Sequence, residues 1–176
     1  SIEQTKQDHQ STGHVQLSDI IASVIEEMAP LAQRSQIELG VDDFDANVWV
    51  AASARLLHEV FSNLIGNAIQ HMNKAGAVTI SLRRETDRAL FSIADNGIGI
   101  PEELRHKVFE RFFRVDETRP ENSGLGLAIV KEICDSLNAK ISLRSPPDGT
   151  GLQVDIEFPL LASEQAATQT ETDGNV

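Results

Sequence analysis

The sequence predicts an α/β (α+β) fold, a two-layer sandwich in which a mixed β-sheet packs on about three helices. Three observations carry this. Residues 53–72 place Leu57, Val60, Phe61, Leu64, Ala68 and Met72 on one side of a helix, the pattern of an amphipathic segment lying on a core. Val78, Ile80 and Leu82 alternate with their neighbours, as do Leu90, Ser92 and Ala94 with Phe91, Ile93 and Asp95; with Asp87-Arg88 between them these runs read as a hairpin. Helical and strand periods follow one another in mixed order, which gathers strands into one layer and helices into the other.

The elements follow in order. Residues 1–14 are polar but for Ile2 and read as a linker or the fraying end of an upstream helix. Ser18 is the candidate cap of a helix running to about Gln33, with Leu17, Ile20, Ile21, Val24, Ile25 and Met28 on its apolar side. Ile37–Val41 and Val48–Ala51 read as short strands ahead of the 53–72 helix. After the hairpin, Pro101 opens a short helix with Glu102 and Glu103 at its positive end. Ser123–Leu137 is a further helix, and Ile141–Leu143 with Leu152–Phe158 form a closing strand pair around Pro146-Pro147-Asp148-Gly149. The folded domain is thus expected over 15–160, with 161–176, too poor in apolar residues to pack, as a disordered tail.

Composition narrows the function. Net charge is −12, from 27 acids against 15 bases, which opposes non-specific nucleic-acid binding because that needs a basic footprint. No stretch approaches the roughly 18 apolar residues needed to span a bilayer. Seven Phe, one Trp and no Tyr leave the core mostly aliphatic. The single cysteine, Cys134, lies in a helical pattern and reads as a buried structural thiol, which fits a reducing compartment.

Four segments carry candidate chemistry. In Asn63-Leu64-Ile65-Gly66-Asn67-Ala68 the two asparagines stand four residues apart, so both amides leave one side of the helix, and Gln70 and His71 extend that strip. Asp95-Asn96-Gly97-Ile98-Gly99-Ile100 follows a strand, and its glycines let the backbone approach a ligand. Ser123-Gly124-Leu125-Gly126-Leu127 opens a helix, where free N–H groups and the dipole attract an anion. The fourth is Asp148-Gly149-Thr150-Gly151. Singly, each also fits ordinary structure: a solvated helix face, an Asp-Asn-Gly turn, a glycine-rich helix start and a hairpin turn.

In their order and spacing the four resemble the N, G1, G2 and G3 boxes of the catalytic domain of sensor histidine kinases. That family belongs to the gyrase, chaperone, histidine kinase and mismatch-repair ATPase superfamily, with its Bergerat-type ATP-binding fold. Phe109-Glu110-Arg111-Phe112-Phe113-Arg114-Val115-Asp116 resembles the F box and the start of the ATP lid, and the resemblance covers about residues 15–160. It implies ATP and Mg²⁺ as cofactors. Asp95 would accept a hydrogen bond from the adenine amino group; an acceptor-only carboxylate meets a donor on adenine and another acceptor on guanine. Gly97, Ile98 and Gly99 would let the base lie close to the backbone. Asn67 would hold Mg²⁺, with Asn63, Gln70 and His71 beside it. Ser123, Gly124, Leu125, Gly126 and Leu127 would hold the phosphates and hinge the lid, and Thr150 and Gly151 would close the far side. Asn63, Arg114 and Arg119 are the expected catalytic groups, the arginines offsetting charge on the transferring phosphoryl group.

Asn63 separates readings within the superfamily, because the hydrolases carry there a Glu that activates water, and an amide cannot act as a base. Glu59 lies one turn further back, out of reach. Two positions depart from the common pattern: Gln70 where Lys is frequent, and His71 where an aromatic residue is frequent. The resemblance also implies an acceptor histidine on a separate helical dimerisation domain and a response-regulator receiver domain as partners. None of His9, His14, His58, His71 and His106 has the acceptor pattern; His58-Glu59 lies inside the helix of the first segment. The expectation is a cytoplasmic segment, making no membrane contact itself, that continues from a dimerisation hairpin and a membrane-anchored sensor upstream. The alternatives are an ATP-hydrolysing switch of the same superfamily and a degenerate, non-catalytic binding module.

Overall fold

Phe61, Phe91 and Phe158 meet at the centre of the molecule with their rings at most 1% exposed. The ring of Phe61 lies 4.8 Å from that of Phe91 and 6.1 Å from that of Phe158, centroid to centroid, in the tilted and edge-on arrangements aromatic pairs prefer. The three come from one helix and two strands, so this contact joins the two layers of the fold. The computed structural model describes residues 13–72, 74–115 and 126–161.

In chain order the elements are β1 (Gly13–Gln16), α1 (Leu17–Arg34), β2 (Ile37–Phe44), β3 (Trp49–Ala52), α2 (Ala54–Gln70), β4 (Gly76–Arg84), β5 (Arg88–Asp95), two 3₁₀ turns at Glu102–Leu104 and Lys107–Phe109, α3 (Gly126–Ser136), β6 (Lys140–Arg144) and β7 (Gln153–Pro159). Five strands form a mixed sheet in the order β2-β4-β5-β7-β6, parallel between β2 and β4 and antiparallel elsewhere. The expected α+β sandwich is the observed one. Val78, Ile80 and Leu82 on β4, Ala89, Phe91 and Ile93 on β5, and Val154, Ile156 and Phe158 on β7 are all buried. Successive strand residues point to opposite faces, so these sets line one face of the sheet, against Leu57, Val60, Phe61, Leu64 and Ile65 of α2.

Two boundaries differ from the sequence reading, each because a long-range contact intervenes. Gly13 and His14, expected in a linker, pair with Ala52 and Ala51 in a two-stranded ribbon of β1 and β3. The first helix begins at Leu17 rather than after a Ser18 cap. The Leu17 N–H donates to the Val48 carbonyl at 2.9 Å, and the Ser18 hydroxyl donates to the Ala46 carbonyl at 2.8 Å instead of accepting from its own helix. The third helix is described from Gly126, so the expected start at Ser123 lies outside the described residues, as do 1–12 and 162–176. Cys134 is buried as expected, and burial, with Asp135 beside it, pushes its thiol up to about 12, which keeps it inert. Among the described residues, no helix is long and apolar enough to cross a membrane.

The aromatic contact sets a stability test. Phe61→Ala removes a ring wedged between two strands and leaves a cavity, so unfolding free energy should fall by about 3–5 kcal/mol, measured by urea denaturation.

Candidate functional site

The C-terminal half of α2, the end of β5, the start of β7 and the first residues of α3 converge on a cavity of about 310 Å³. Its polar wall is the strip read from the sequence: Asn63, Asn67, Gln70 and His71 all line it. Helical spacing puts the first two amides one above the other. Asn63 Nδ2 donates to the Glu59 carbonyl one turn back at 2.8 Å, which pins the amide and leaves Oδ1 outward. A Cβ placed on Gly126 would lie 3.0 Å from Asn63 Oδ1 and 3.1 Å from Asn67 Nδ2, so the N-terminus of α3 approaches both amides because its first residue is glycine. Gly126 and Leu127 line the cavity, whereas Arg119, Ser123, Gly124 and Leu125 lie outside the described residues.

Asp95 lines the same cavity and is the one carboxylate among its lining residues. Its Oδ1 accepts the Gly97 N–H at 2.9 Å and the Leu152 N–H at 3.2 Å, while its own N–H donates to the Leu152 carbonyl at 2.9 Å. Burial raises its pKa above the ordinary carboxylate value; the two N–H donors and the charge of His71 oppose that rise without cancelling it. Gly151 adopts φ +90°, and any Cβ there would overlap the Asp95 carbonyl. Gly99 adopts φ +72° with its would-be Cβ 2.6 Å from the Gly151 carbonyl. The last glycine-rich segment thus buttresses the carboxylate through its backbone.

The structure departs from the sequence reading at Thr150. It is exposed and outside the cavity, with its N–H on Asp148 Oδ1 at 3.1 Å, because the turn at Gly149 (φ +80°) carries it away. Leu152 takes its place on the wall. Gly97 contributes through its bond to Asp95, and Ile98, 73% exposed, sits at the rim beside Gly99. The apolar walls, Ile93, Val154, Leu64, Ala68, Ile100 and Val108, had no role at the site in the sequence reading. Ile93 and Val154 carried a usable signal, since each lies on the helix-facing side of a strand that ends at a glycine motif. Phe113, Arg114 and Val115 close the remaining side. A turn puts them there: the Phe113 N–H donates to the Glu110 carbonyl at 3.3 Å, and Phe112 between them adopts φ +66° and stands 72% exposed. Arg111 bonds Glu132 and ties this segment to α3. Asp116 lies outside the described residues.

Glu59 does not line the cavity, so no carboxylate of α2 faces it. His58 also points elsewhere: its Nε2 is 2.9 Å from Glu27 Oε1 on α1 and its Nδ1 is 3.2 Å from Ser62 Oγ. The cavity therefore presents one acceptor carboxylate, apolar walls, and neutral amides beside a helix N-terminus, which suits a ligand with a flat donor-bearing group and an anionic tail.

Asp95 yields a pH prediction. Its folded pKa lies above its unfolded value, so its contribution to stability is full below the unfolded value and is lost as pH rises through the folded one. Asp95→Asn keeps an acceptor for both N–H groups and removes the buried charge. The variant should melt higher than the parent protein at pH 7, with the gap narrowing on acidification, as followed by thermal denaturation; a gap independent of pH would contradict the burial argument.

Comparison with known proteins agrees with this geometry. The profile of the family described as "Histidine kinase-, DNA gyrase B-, and HSP90-like ATPase" matches residues 52–162, more than half of the chain. The sensor-like histidine kinase SenX3 of Mycobacterium tuberculosis is 35% identical over 150 residues, covering 84% of this chain and 36% of that protein. The solved structure of the mycobacterial sensor histidine kinase MprB superposes with a TM-score of 0.74 at 29% identity, over 85% of this chain and 97% of that one. Full-length ShkA, solved in complex with AMPPNP, gives a TM-score of 0.74 at 27% identity, over 88% of this chain and 32% of that one. The chain spans about a third of the length of the curated relatives it matches. With that profile over residues 52–162, the chain belongs to the histidine kinase-, DNA gyrase B- and HSP90-like ATPase family, and its relatives SenX3 and MprB are sensor histidine kinases.

Proposed function

We propose that this chain is the catalytic module of a two-component sensor histidine kinase, which binds Mg-ATP and transfers the γ-phosphoryl group to a histidine on a separate dimerisation domain. The observation that carries the reading is one cavity lined by both Asp95 and the Asn63/Asn67 pair, with the start of α3 against the amides. Asp95 Oδ1 is held by two backbone N–H groups, which leaves Oδ2 for the adenine amino group. The apolar walls at that end take the ring. The triphosphate runs toward the amides and the N-terminus of α3, and Arg114, on the cavity wall, offsets its charge.

The donor set fits a hard divalent cation that arrives with the nucleotide: amide oxygens of Asn63 and Asn67 are hard ligands, and the nucleotide would supply the negative charge that they lack. Asn67, supported by Asn63, would hold Mg²⁺, which would offset the charge of the phosphates. Asn63 cannot activate water, and Glu59 does not reach the cavity. Transfer to an imidazole, itself a nucleophile, needs no such base. This favours phosphotransfer over hydrolysis. The upstream dimerisation domain and a response-regulator receiver domain are the partners that the reading requires, with this segment on the cytoplasmic side of a membrane-anchored sensor. The AMPPNP carried by the ShkA structure is consistent with the ligand.

Asn67→Ala and Asp95→Ala should each weaken binding of a fluorescent ATP analogue with Mg²⁺ by about 10- to 100-fold, the loss expected for a charge-assisted hydrogen bond or metal ligand; full affinity in both variants would refute the assignment. With labelled ATP, the chain should form phosphohistidine only on an added dimerisation domain. Steady-state release of phosphate by the chain alone would favour a hydrolytic switch instead.

A further inference from the structure

Asn96, between the adenine-reading Asp95 and Gly97, makes contacts that the assignment above does not use. The β4–β5 ladder ends with Val78 opposite Asp95. One residue on, the Asn96 N–H still donates to the Ala77 carbonyl at 3.3 Å, but the Ala77 N–H donates at 2.8 Å to Asn96 Oδ1, a side-chain atom. The amide oxygen stands in for a strand carbonyl. Asn96's own carbonyl is thereby released from the ladder, and the chain turns out of the sheet immediately after Asp95. That turn folds the Gly97 N–H back onto Asp95 Oδ1.

The Asn96 side chain has a track of its own. A Cβ on Gly76 would overlap Asn96 Oδ1 and the Met72 methyl group, and a Cβ on Gly97 would sit 2.9 Å from Met72 Sδ and 3.1 Å from Asp95 Oδ1. Met72 thus crosses both glycines, and at Gly76 it lies beside the exposed Asn96 amide. Gly76 carries no positive φ, so its absent side chain serves clearance and not backbone conformation.

We infer that Asn96 is a positioning residue for base recognition: its side-chain bond to Ala77, against Gly76 and beside Met72, sets the direction of the Asp95 carboxylate and so the discrimination for a purine amino group. The inference rests on the proposed ATP-binding reading. It gives Asn96 a role that any general loosening of the domain would not mimic, because loosening weakens all nucleotides alike.

Calorimetric titration with ATP and with purine riboside triphosphate, which lacks the 6-amino group, separates the two, each with Mg²⁺. The parent protein should prefer ATP. In Asn96→Ala that preference should fall by about fivefold, the effect of losing one ordered hydrogen bond, and Asn96→Asp, which keeps the acceptor, should retain it. Gly76→Ala, which displaces the Asn96 amide from the opposite side, should reproduce the loss. A preference unchanged in both Asn96→Ala and Gly76→Ala, whether or not overall affinity falls, overturns the inference. A parent protein that binds neither ligand overturns the ATP reading, and one that binds both equally overturns base reading by Asp95.

Discussion

The seam between the end of β5 and the residue before β7 holds the site together. Asp95 and Leu152 exchange backbone and side-chain hydrogen bonds there, and Gly151 lies so close to the Asp95 backbone that no side chain fits. One carboxylate is thus fixed by its neighbour strand, with one oxygen consumed by backbone N–H groups. A partly buried carboxylate is costly, as its raised pKa records, and those two donors offset part of that cost. The protein retains a charge that folding alone would discard, which is the usual signature of a group kept for a ligand.

Helix α2 couples stability to recognition. Leu57, Phe61, Leu64 and Ile65 on one side close the core, and Asn63 and Asn67 on another side face the cavity. Asparagine is a poor helix former, because its amide competes for backbone groups. Asn63 does so here, bonding the Glu59 carbonyl. The packing of Phe61 between Phe91 and Phe158 offsets that local penalty, so the amides are carried by a helix whose order comes from elsewhere.

Two residues that look chemical are structural. Cys134 is buried with its thiol held protonated. His58 bridges Glu27 of α1 and Ser62 of its own helix on the outer surface, away from the cavity. Both show why residue type without placement is a weak guide. A histidine next to a glutamate in sequence becomes a clasp between helices, and the histidine at position 71, lacking any motif but its distance from Asn67, reaches the cavity wall.

The sequence by itself determined the sandwich, the apolar faces of its helices and strands, and the two poles of the site. Periods of 3.6 and 2 report burial directly, and both the asparagine spacing and the strand-end aspartate are local patterns. Only the tertiary structure decided what depends on distant segments meeting. It left Thr150 outside the cavity and put Leu152 on its wall, since the left-handed backbone at Gly149 and Gly151 turns the chain on either side of Thr150. It took Gly13 and His14 into a strand, because their partners lie nearly forty residues away. It also explained Gly76, Gly126 and Gly151, whose need for a missing Cβ comes from atoms of Asn96, Asn63 and Asp95 that no local period connects to them.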